Sequence, residues 1–248
     1  NDGVQNKISS MALVGQGNSN LSVKQIATGG NHTCFLYSDM TVKCFGNNAT
    51  GQLGVGNTSN IGQLIGSTDF SQTTPIISNA VQLVAGDSHN CALTSAGDIY
   101  CWGSNTYGQL GVGSTSTIGH TGATITAPYT KVDLGTGRTA VQISAGAFHN
   151  CALLDNSDIK CWGNNTYGQL GYEDTSNRGT SPAQLGDSLL PINLGTGLTP
   201  ISVAACGYHT CAVFNSGAIK CWGYNGYGQL GLGDASNRGY LAGTMGGN

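Results

Sequence analysis

Charge is what this 248-residue chain most lacks. Lys and Arg number 9 and Asp and Glu 12, together 8% of the residues, against about 25% in an ordinary soluble domain. Glutamate occurs once, as Glu173. Exposed helical positions are usually filled by Glu, Lys, Arg, Ala and Leu, so this shortage excludes a mostly helical fold. The few basic residues are scattered and form no patch for a phosphate backbone or an anionic lipid surface. Nucleic acid is therefore excluded as a partner. Long apolar runs are also missing, and none approaches the about 18 residues of a membrane-spanning helix, so membrane insertion is not expected. Disorder is excluded as well, because 39% of the chain is hydrophobic and the net charge is only −3. The chain opens on Asn1 without a signal-type segment, which reads as a trimmed, mature start.

What is abundant is glycine, 40 residues, and it recurs in register. His-x-Cys appears at His32, His89, His149 and His209. A second cysteine follows each copy, at Cys44, Cys101, Cys161 and Cys221. Phe45-Gly46, Trp102-Gly103, Trp162-Gly163 and Trp222-Gly223 come next, then Gly-Gln-Leu-Gly starting at Gly51, Gly108, Gly168 and Gly228. Such a period is the mark of a repeat architecture. Each unit reads as β-structure. Ala80 to Ala85 alternates and is rich in β-branched residues, His89 to Thr94 forms the next strand, and Ile99 to Trp102 the third. Cys91 and Cys101 are symmetric about Ala96, which leaves Ser95-Ala96-Gly97 as a three-residue hairpin loop. Three to four short strands in each unit suit a propeller blade. The predicted organisation is one continuous domain: an N-terminal strand segment 1–21, then repeats 22–78, 79–138, 139–198 and 199–248.

The compound pattern Ala-Gly-x-x-His-x-x-Ala-Leu, a short hairpin, then Trp-Gly-x-Asn-x-x-Gly-Gln-Leu-Gly resembles the repeat of the regulator of chromosome condensation family. That resemblance implies a β-propeller, usually of seven blades. The chain departs from the family in its four repeats, its low charge and a cysteine pair in every repeat. These departures count against guanine-nucleotide exchange, the activity best known in that family. The expected fold is all-β, four propeller-type blades, left open or completed by a neighbouring subunit.

Of nine cysteines, eight form pairs that face each other across a hairpin: Cys34 with Cys44, Cys91 with Cys101, Cys151 with Cys161 and Cys211 with Cys221. Disulfides are the expected outcome. Zinc is the alternative, but its motifs use closer spacing and converge four ligands. Four disulfides imply an oxidising compartment, hence a secreted or cell-surface protein. Cys206 is the odd one, standing where other copies carry Gly86 and Gly146. It reads first as a buried free thiol; an intermolecular disulfide and a catalytic thiol are the alternatives.

The histidines His32, His89, His149 and His209 would fall at equivalent points of separate blades, too far apart for one metal ion. Each is expected to hydrogen-bond between strands of its own blade. Trp102, Trp162 and Trp222 are expected in the core. Tyr107, Tyr167 and Tyr227 sit in Asn-x-Tyr-Gly loops and are candidate surface groups, with sugar binding as one use. Asp174 with Arg178 and Asp234 with Arg238 suggest local turn pairing first and an interaction surface second. Asn20, Asn31, Asn48, Asn57 and Asn164 stand in glycosylation sequons. No carboxylate pair, nucleophile triad or phosphate-cradling loop stands out, so no catalytic residue, metal or cofactor is assigned.

The ends carry one more signal. Repeats two and three are followed by strand-type segments, Lys131-Val132-Asp133-Leu134 and Pro191-Ile192-Asn193-Leu194, whereas repeat four runs only to Met245 and a glycine-rich tail. A segment of the same type, containing Ile8, Met11, Leu13 and Val14, precedes repeat one. It is expected to complete the fourth blade of its own chain or of a neighbour. The reading is a non-enzymatic, extracellular structural or adhesive protein that binds identical subunits. The alternative is a secreted binding module that recognises a surface protein or a glycan through its loops. An exchange factor would need a reducing cytosol, which the cysteine pairs oppose.

Overall fold

The computed structural model describes residues 21–62, 77, 79–120 and 130–245. The N-terminal segment, with Ile8, Met11, Leu13 and Val14, lies outside the described residues. Among the described residues, twelve strands form four three-stranded antiparallel sheets, each in chain order. Blade 1 holds β1 Val23–Thr28, β2 His32–Tyr37 and β3 Val42–Gly46; blade 2 holds β4 Ala80–Ala85, β5 His89–Thr94 and β6 Ile99–Gly103. Blade 3 holds β7 Ala140–Ala145, β8 His149–Leu154 and β9 Ile159–Gly163; blade 4 holds β10 Pro200–Cys206, β11 His209–Phe214 and β12 Ile219–Gly223. Consecutive blades pack face to face through their inner strands. Among the described residues the sheet of blade 4 does not pack onto that of blade 1, so the array is an open propeller.

The hydrophobic core is three slabs, one between each pair of consecutive blades. Leu36, Leu53, Leu83 and Trp102 fill the first. Leu93, Leu110, Ile143 and Trp162 fill the second. Leu153, Leu170, Val203 and Trp222 fill the third. This explains why β5 and β8 are buried at every position while the middle strands of the end blades, β2 and β11, alternate. A strand covered on both faces needs no polar side. The three tryptophans are fully buried. At roughly 200 Å² per indole and about 25 cal/mol per Å², each contributes about 5 kcal/mol of transfer free energy.

Each inner hairpin turns as the spacing predicts. Thr94 N–H bonds Asp98 C=O at 2.9 Å and Gly97 N–H bonds Thr94 C=O at 2.9 Å. Gly97 takes φ +80°, the left-handed residue that a three-residue loop requires. Met40 and Ser157 hold the same place in blades 1 and 3, at φ 64° and 67°.

The connecting segments differ from the expectation. Residues 131–134 and 191–194 form no strand. Each makes one ladder-like bond, from Val132 N–H to Ile99 C=O and from Ile192 N–H to Ile159 C=O, both at 2.9 Å. They are held instead by burial of alternate side chains, Val132 with Leu134 and Ile192 with Leu194. Lys160 pins the first of them, its ammonium bonding the carbonyls of Leu134 at 3.0 Å and Gly186 at 2.9 Å.

Candidate functional site

The cysteine pairs are disulfides within each blade: Cys34–Cys44, Cys91–Cys101, Cys151–Cys161 and Cys211–Cys221. Paired residues are direct cross-strand partners, with Cα atoms 4.0–4.1 Å apart. Such short separations belong to the narrow pairs of an antiparallel ladder. Among the described residues no group of three His, Cys, Asp or Glu could hold a metal ion.

The repeat histidines do not bond within their own blade, as expected from sequence, but reach into the next one. His32 Nε2 lies 2.9 Å from Asn90 Oδ1. His89 Nε2 meets the Asn150 amide at 2.9–3.2 Å, and His149 Nε2 lies 2.9 Å from Thr210 Oγ1. Asn90 Nδ2 is committed to Gln52 C=O at 2.7 Å, and Thr210 Oγ1 donates to Gln169 C=O at 2.9 Å. For His32 and His149 the acceptor oxygen therefore faces the ring and Nε2 carries the proton, whereas Asn150 presents both its Oδ1 and its Nδ2 to His89 Nε2. The Nδ1 atoms of His32, His89 and His149 are buried without a partner among the described residues, and the Cε1–Nδ1 edge of each ring packs against a glycine. A Cβ on Gly29, Gly86 or Gly146 would overlap the histidine ring. Burial pushes the imidazoles of His89 and His149 down to about 4 and about 3.

Two further contacts join the blades. A register shift in each inner strand, at Val23/Gln25, Ala80/Gln82 and Ala140/Gln142, re-aims a glutamine toward the next blade. Gln25 then accepts from Leu83 N–H at 2.9 Å and donates to Leu83 C=O at 2.7 Å. Gln82 does the same with Ile143, both bonds at 2.9 Å. In the reverse direction, the indoles of Trp102, Trp162 and Trp222 donate to Gln52, Gln109 and Gln169 C=O, each at 3.0 Å. The end blades carry different residues at these places. Phe45 replaces tryptophan in blade 1 and has no side-chain N–H, and Ser202 replaces glutamine in blade 4.

Cys206 is a free thiol and it is exposed, not buried as expected. Its Cβ is incompatible with the histidine placement that glycine permits, and blade 4 turns differently there. Cys206 pairs directly with His209 across Gly207-Tyr208, so β10 is one residue longer than the other inner strands. His209 is half-buried, and its imidazole reaches no following blade among the described residues. In the other blades the same turn stays open and bonds onward: Gly30 N–H to Asp87 C=O, Asp87 N–H to Ala147 C=O and Ala147 N–H to Gly207 C=O, at 2.8–3.0 Å. Cys206 thus lies on the rim of a shallow cavity of about 320 Å³ at the propeller axis, beside Gly29, Gly86 and Gly146.

One structural device in the motif was not read from the sequence. Asn48, Asn105, Asn165 and Asn225 are fully buried. Each Oδ1 accepts from the Gly-Gln-Leu-Gly leucine N–H at 2.9 Å. Each Nδ2 reaches a carbonyl nine residues on, at 2.8–2.9 Å. The signal was the fixed offset of Asn from Trp-Gly. Burial removes Asn48 and Asn164 as sugar acceptors, whereas Asn31 and Asn57 are exposed.

The charged loops are stapled to themselves. Arg178 pairs with Asp174 and Arg238 with Asp234, both at 2.6 Å. The same arginines bridge to Gly163 and Gly223 as Ile61 and Ile118 bridge to Gly46 and Gly103. Tyr107 and Tyr167 are half-buried, while Tyr227 is 90% exposed.

Among the described residues the flank of blade 4 is uncovered. A cavity of about 440 Å³ is bounded by Ile219, Trp222, Leu230, Leu232, Arg238 and Met245. The equivalent places in blades 2 and 3 are filled by the connecting segments that bond Ile99 and Ile159. Accordingly Ile99 and Ile159 are 0% and 1% exposed and Ile219 is 65% exposed. Met245 is itself buried, in one apolar cluster with Trp222, Leu170 and Ile192.

Known proteins share these features. The model for the regulator of chromosome condensation (RCC1) repeat matches residues 23–52, 80–109, 140–169 and 201–229, and a second model for the same repeat matches 96–153 and 161–213. The Arabidopsis thaliana ultraviolet-B receptor UVR8 is 33% identical over 221 residues, 86% of this chain and 44% of that protein. The probable E3 ubiquitin-protein ligase HERC4 of Homo sapiens is 36% identical over 231 residues, 89% of this chain and 19% of that protein. The chain thus spans less than half the length of these relatives. Among solved structures, yeast RCC1 (Prp20) bound to Kap60 superposes with a TM-score of 0.66 at 21% identity, over 90% of this chain and 48% of that one. Human WBSCR16 gives 0.55 at 20% identity, over 89% and 66%. The chain belongs to the regulator of chromosome condensation (RCC1) repeat family.

Proposed function

We propose that this protein is a non-enzymatic, extracellular structural or adhesive protein whose copies associate head to tail. The observation that carries the reading is the open seat on blade 4. There an isoleucine, a carbonyl and an apolar cavity stand ready for a segment of the type that blades 2 and 3 already hold. The occupant is residues 8–15 of a neighbouring copy. Ile8, Met11, Leu13 and Val14 supply the apolar groups, and Gly15 follows as Gly135 and Gly195 follow the two connectors. Donation of an edge segment is an established way to cover open β-structure. A contact between unlike surfaces builds rings or filaments. The four disulfides support an oxidising compartment, and few surface charges need desolvation when copies pack. Protein partners also agree with the yeast relative, which was solved bound to Kap60.

The test is light scattering and negative-stain microscopy of the full chain, of a chain lacking residues 1–15, and of Ile219→Lys. Assemblies that vanish in both variants, and a peptide of residues 6–17 that binds the truncated chain, support the proposal. Assembly that persists without residues 1–15, or a monomeric full chain, overturns it.

A further inference from the structure

Six aromatic rings run in unbroken contact along one face of blades 2 to 4. Tyr107 meets Phe148 at 5.6 Å between centroids, Phe148 meets Tyr208 at 5.9 Å, and Tyr208 meets Tyr167 at 5.4 Å. Tyr167 meets Tyr224 at 4.8 Å, and Tyr224 meets Tyr227 at 6.0 Å. The turns that carry them are bonded side by side, through Asn164 N–H to Phe148 C=O and Tyr224 N–H to Tyr208 C=O, both at 2.9 Å.

The repeat does not require these rings. The position of Tyr208 is Asn31 in blade 1 and Ser88 in blade 2, and the same backbone bond forms there. The position of Tyr224 is Ser104 in blade 2 and Asn164 in blade 3. Aromatic rings therefore accumulate on this face toward blade 4 without a folding need. They end at Tyr227, which is 90% exposed, with Tyr208 at 37%. A row of half-buried rings that ends in exposed ones costs solubility and marks an interaction site.

The chemistry of the row selects its ligand. Among the described residues, no Lys or Arg stacks on any of the six rings; the cation–π contacts are Lys43 on Tyr37 and Arg178 on Tyr172, off this row. The turns that carry the rings, residues 104–109, 147–148, 164–169, 207–208 and 224–229, contain no Lys or Arg, so an anionic ligand such as a nucleic acid or a sulfated chain would find no counter-charge in them. Aromatic faces offer apolar contact area at low entropic cost, and phenol hydroxyls offer adaptable donors and acceptors. A neutral polysaccharide presents the matching surface, with C–H faces and hydroxyl rims in alternation and no charge. We propose that the row from Tyr208 through Tyr167 and Tyr224 to Tyr227 binds an uncharged glycan chain.

Titration calorimetry of the intact chain tests this, with cellohexaose, chitohexaose and mannohexaose as probes and heparin and a proline-rich peptide as counter-probes. At least one neutral oligosaccharide should bind. Tyr227→Ala should weaken it about tenfold, the scale of one lost ring contact, and Tyr227→Phe should retain most of the affinity. Tyr227 is almost fully exposed, so its replacement leaves the fold intact; Tyr224→Ala is the second variant, checked by circular dichroism. The proposal fails if none of the three sugars binds, if Tyr227→Ala leaves binding unchanged, or if heparin or the peptide binds with the same tyrosine dependence. The face is distinct from the blade 4 seat, so Tyr227→Ala should not alter assembly.

Discussion

Trp162 of blade 3 donates its indole N–H to the Gln109 carbonyl of blade 2 at 3.0 Å, and Asn150 donates to the same oxygen at 2.7 Å. One main-chain carbonyl therefore receives two donors from the next blade. Trp162→Phe should cost about 2 kcal/mol, because it removes one donor and leaves a small void but keeps the carbonyl paired. Asn150→Ala should cost more, about 3 kcal/mol, since it also leaves the buried His89 Nε2 without its partner. Chemical denaturation of the two variants gives the order.

Stability should fall on mild acidification. His89 and His149 have folded values pushed down to about 4 and about 3 by burial, against about 6.5 in the unfolded chain. Between these limits the unfolded state binds more protons, so unfolding becomes easier as pH drops. The stability is complete above about pH 6.5 and is lost progressively toward pH 4. His89 alone should account for roughly 3 kcal/mol at the acid end. Thermal melts from pH 8 to pH 4 check this. A His89→Gln chain, if it folds, should show a shallower slope.

Two glycines at equivalent hairpin places should respond differently to alanine. Gly97 and Gly217 have φ of +80° and +83°, but a Cβ on Gly97 would lie 2.6 Å from Thr139 Cβ while one on Gly217 meets nothing within 4 Å. Gly217→Ala should cost only the left-handed strain, about 1 kcal/mol. Gly97→Ala should cost at least about 1 kcal/mol more, for displacing Thr139. Conversely, Ser157→Gly should be close to neutral, since relief of φ 67° offsets the added freedom of the unfolded chain. Paired denaturation curves separate strain from contact.

Alkylation without reductant should label one thiol per chain, at exposed Cys206, and intact mass should show four disulfides. Replacing Cys151 and Cys161 together by alanine should cost about 2–3 kcal/mol, the scale for a short closed loop. Labelling at several cysteines would contradict the paired arrangement.

The blades were legible in the sequence because their signals are local. Val and Ile alternation, the Gly97 turn and the facing cysteines each act within about twenty residues, and the motif carried the family. What faces what between blades was not legible. His32 and Asn90 are 58 residues apart, and nothing in either segment shows that the ring packs against Gly29 and reaches into the next blade. Cys206 misled for the same reason. At a glycine position a small apolar residue suggests burial, but this blade has no following blade to cover it among the described residues. The buried asparagines escaped because Asn in a Gly-rich loop ordinarily reads as turn chemistry.

The disulfides close each hairpin upon itself and none joins two blades. This gives the chain an unusual response to tension. Pulled at its ends, it must first part the contacts between blades, where only side chains and single backbone bonds hold. The inner hairpins cannot then extend, since the force passes straight through the sulfur bridge. Roughly 35 Å of chain per blade, ten residues at full extension, stays hidden from the load until a reductant reaches it. Loaded end to end, such a chain behaves as four locked clasps on a compliant thread.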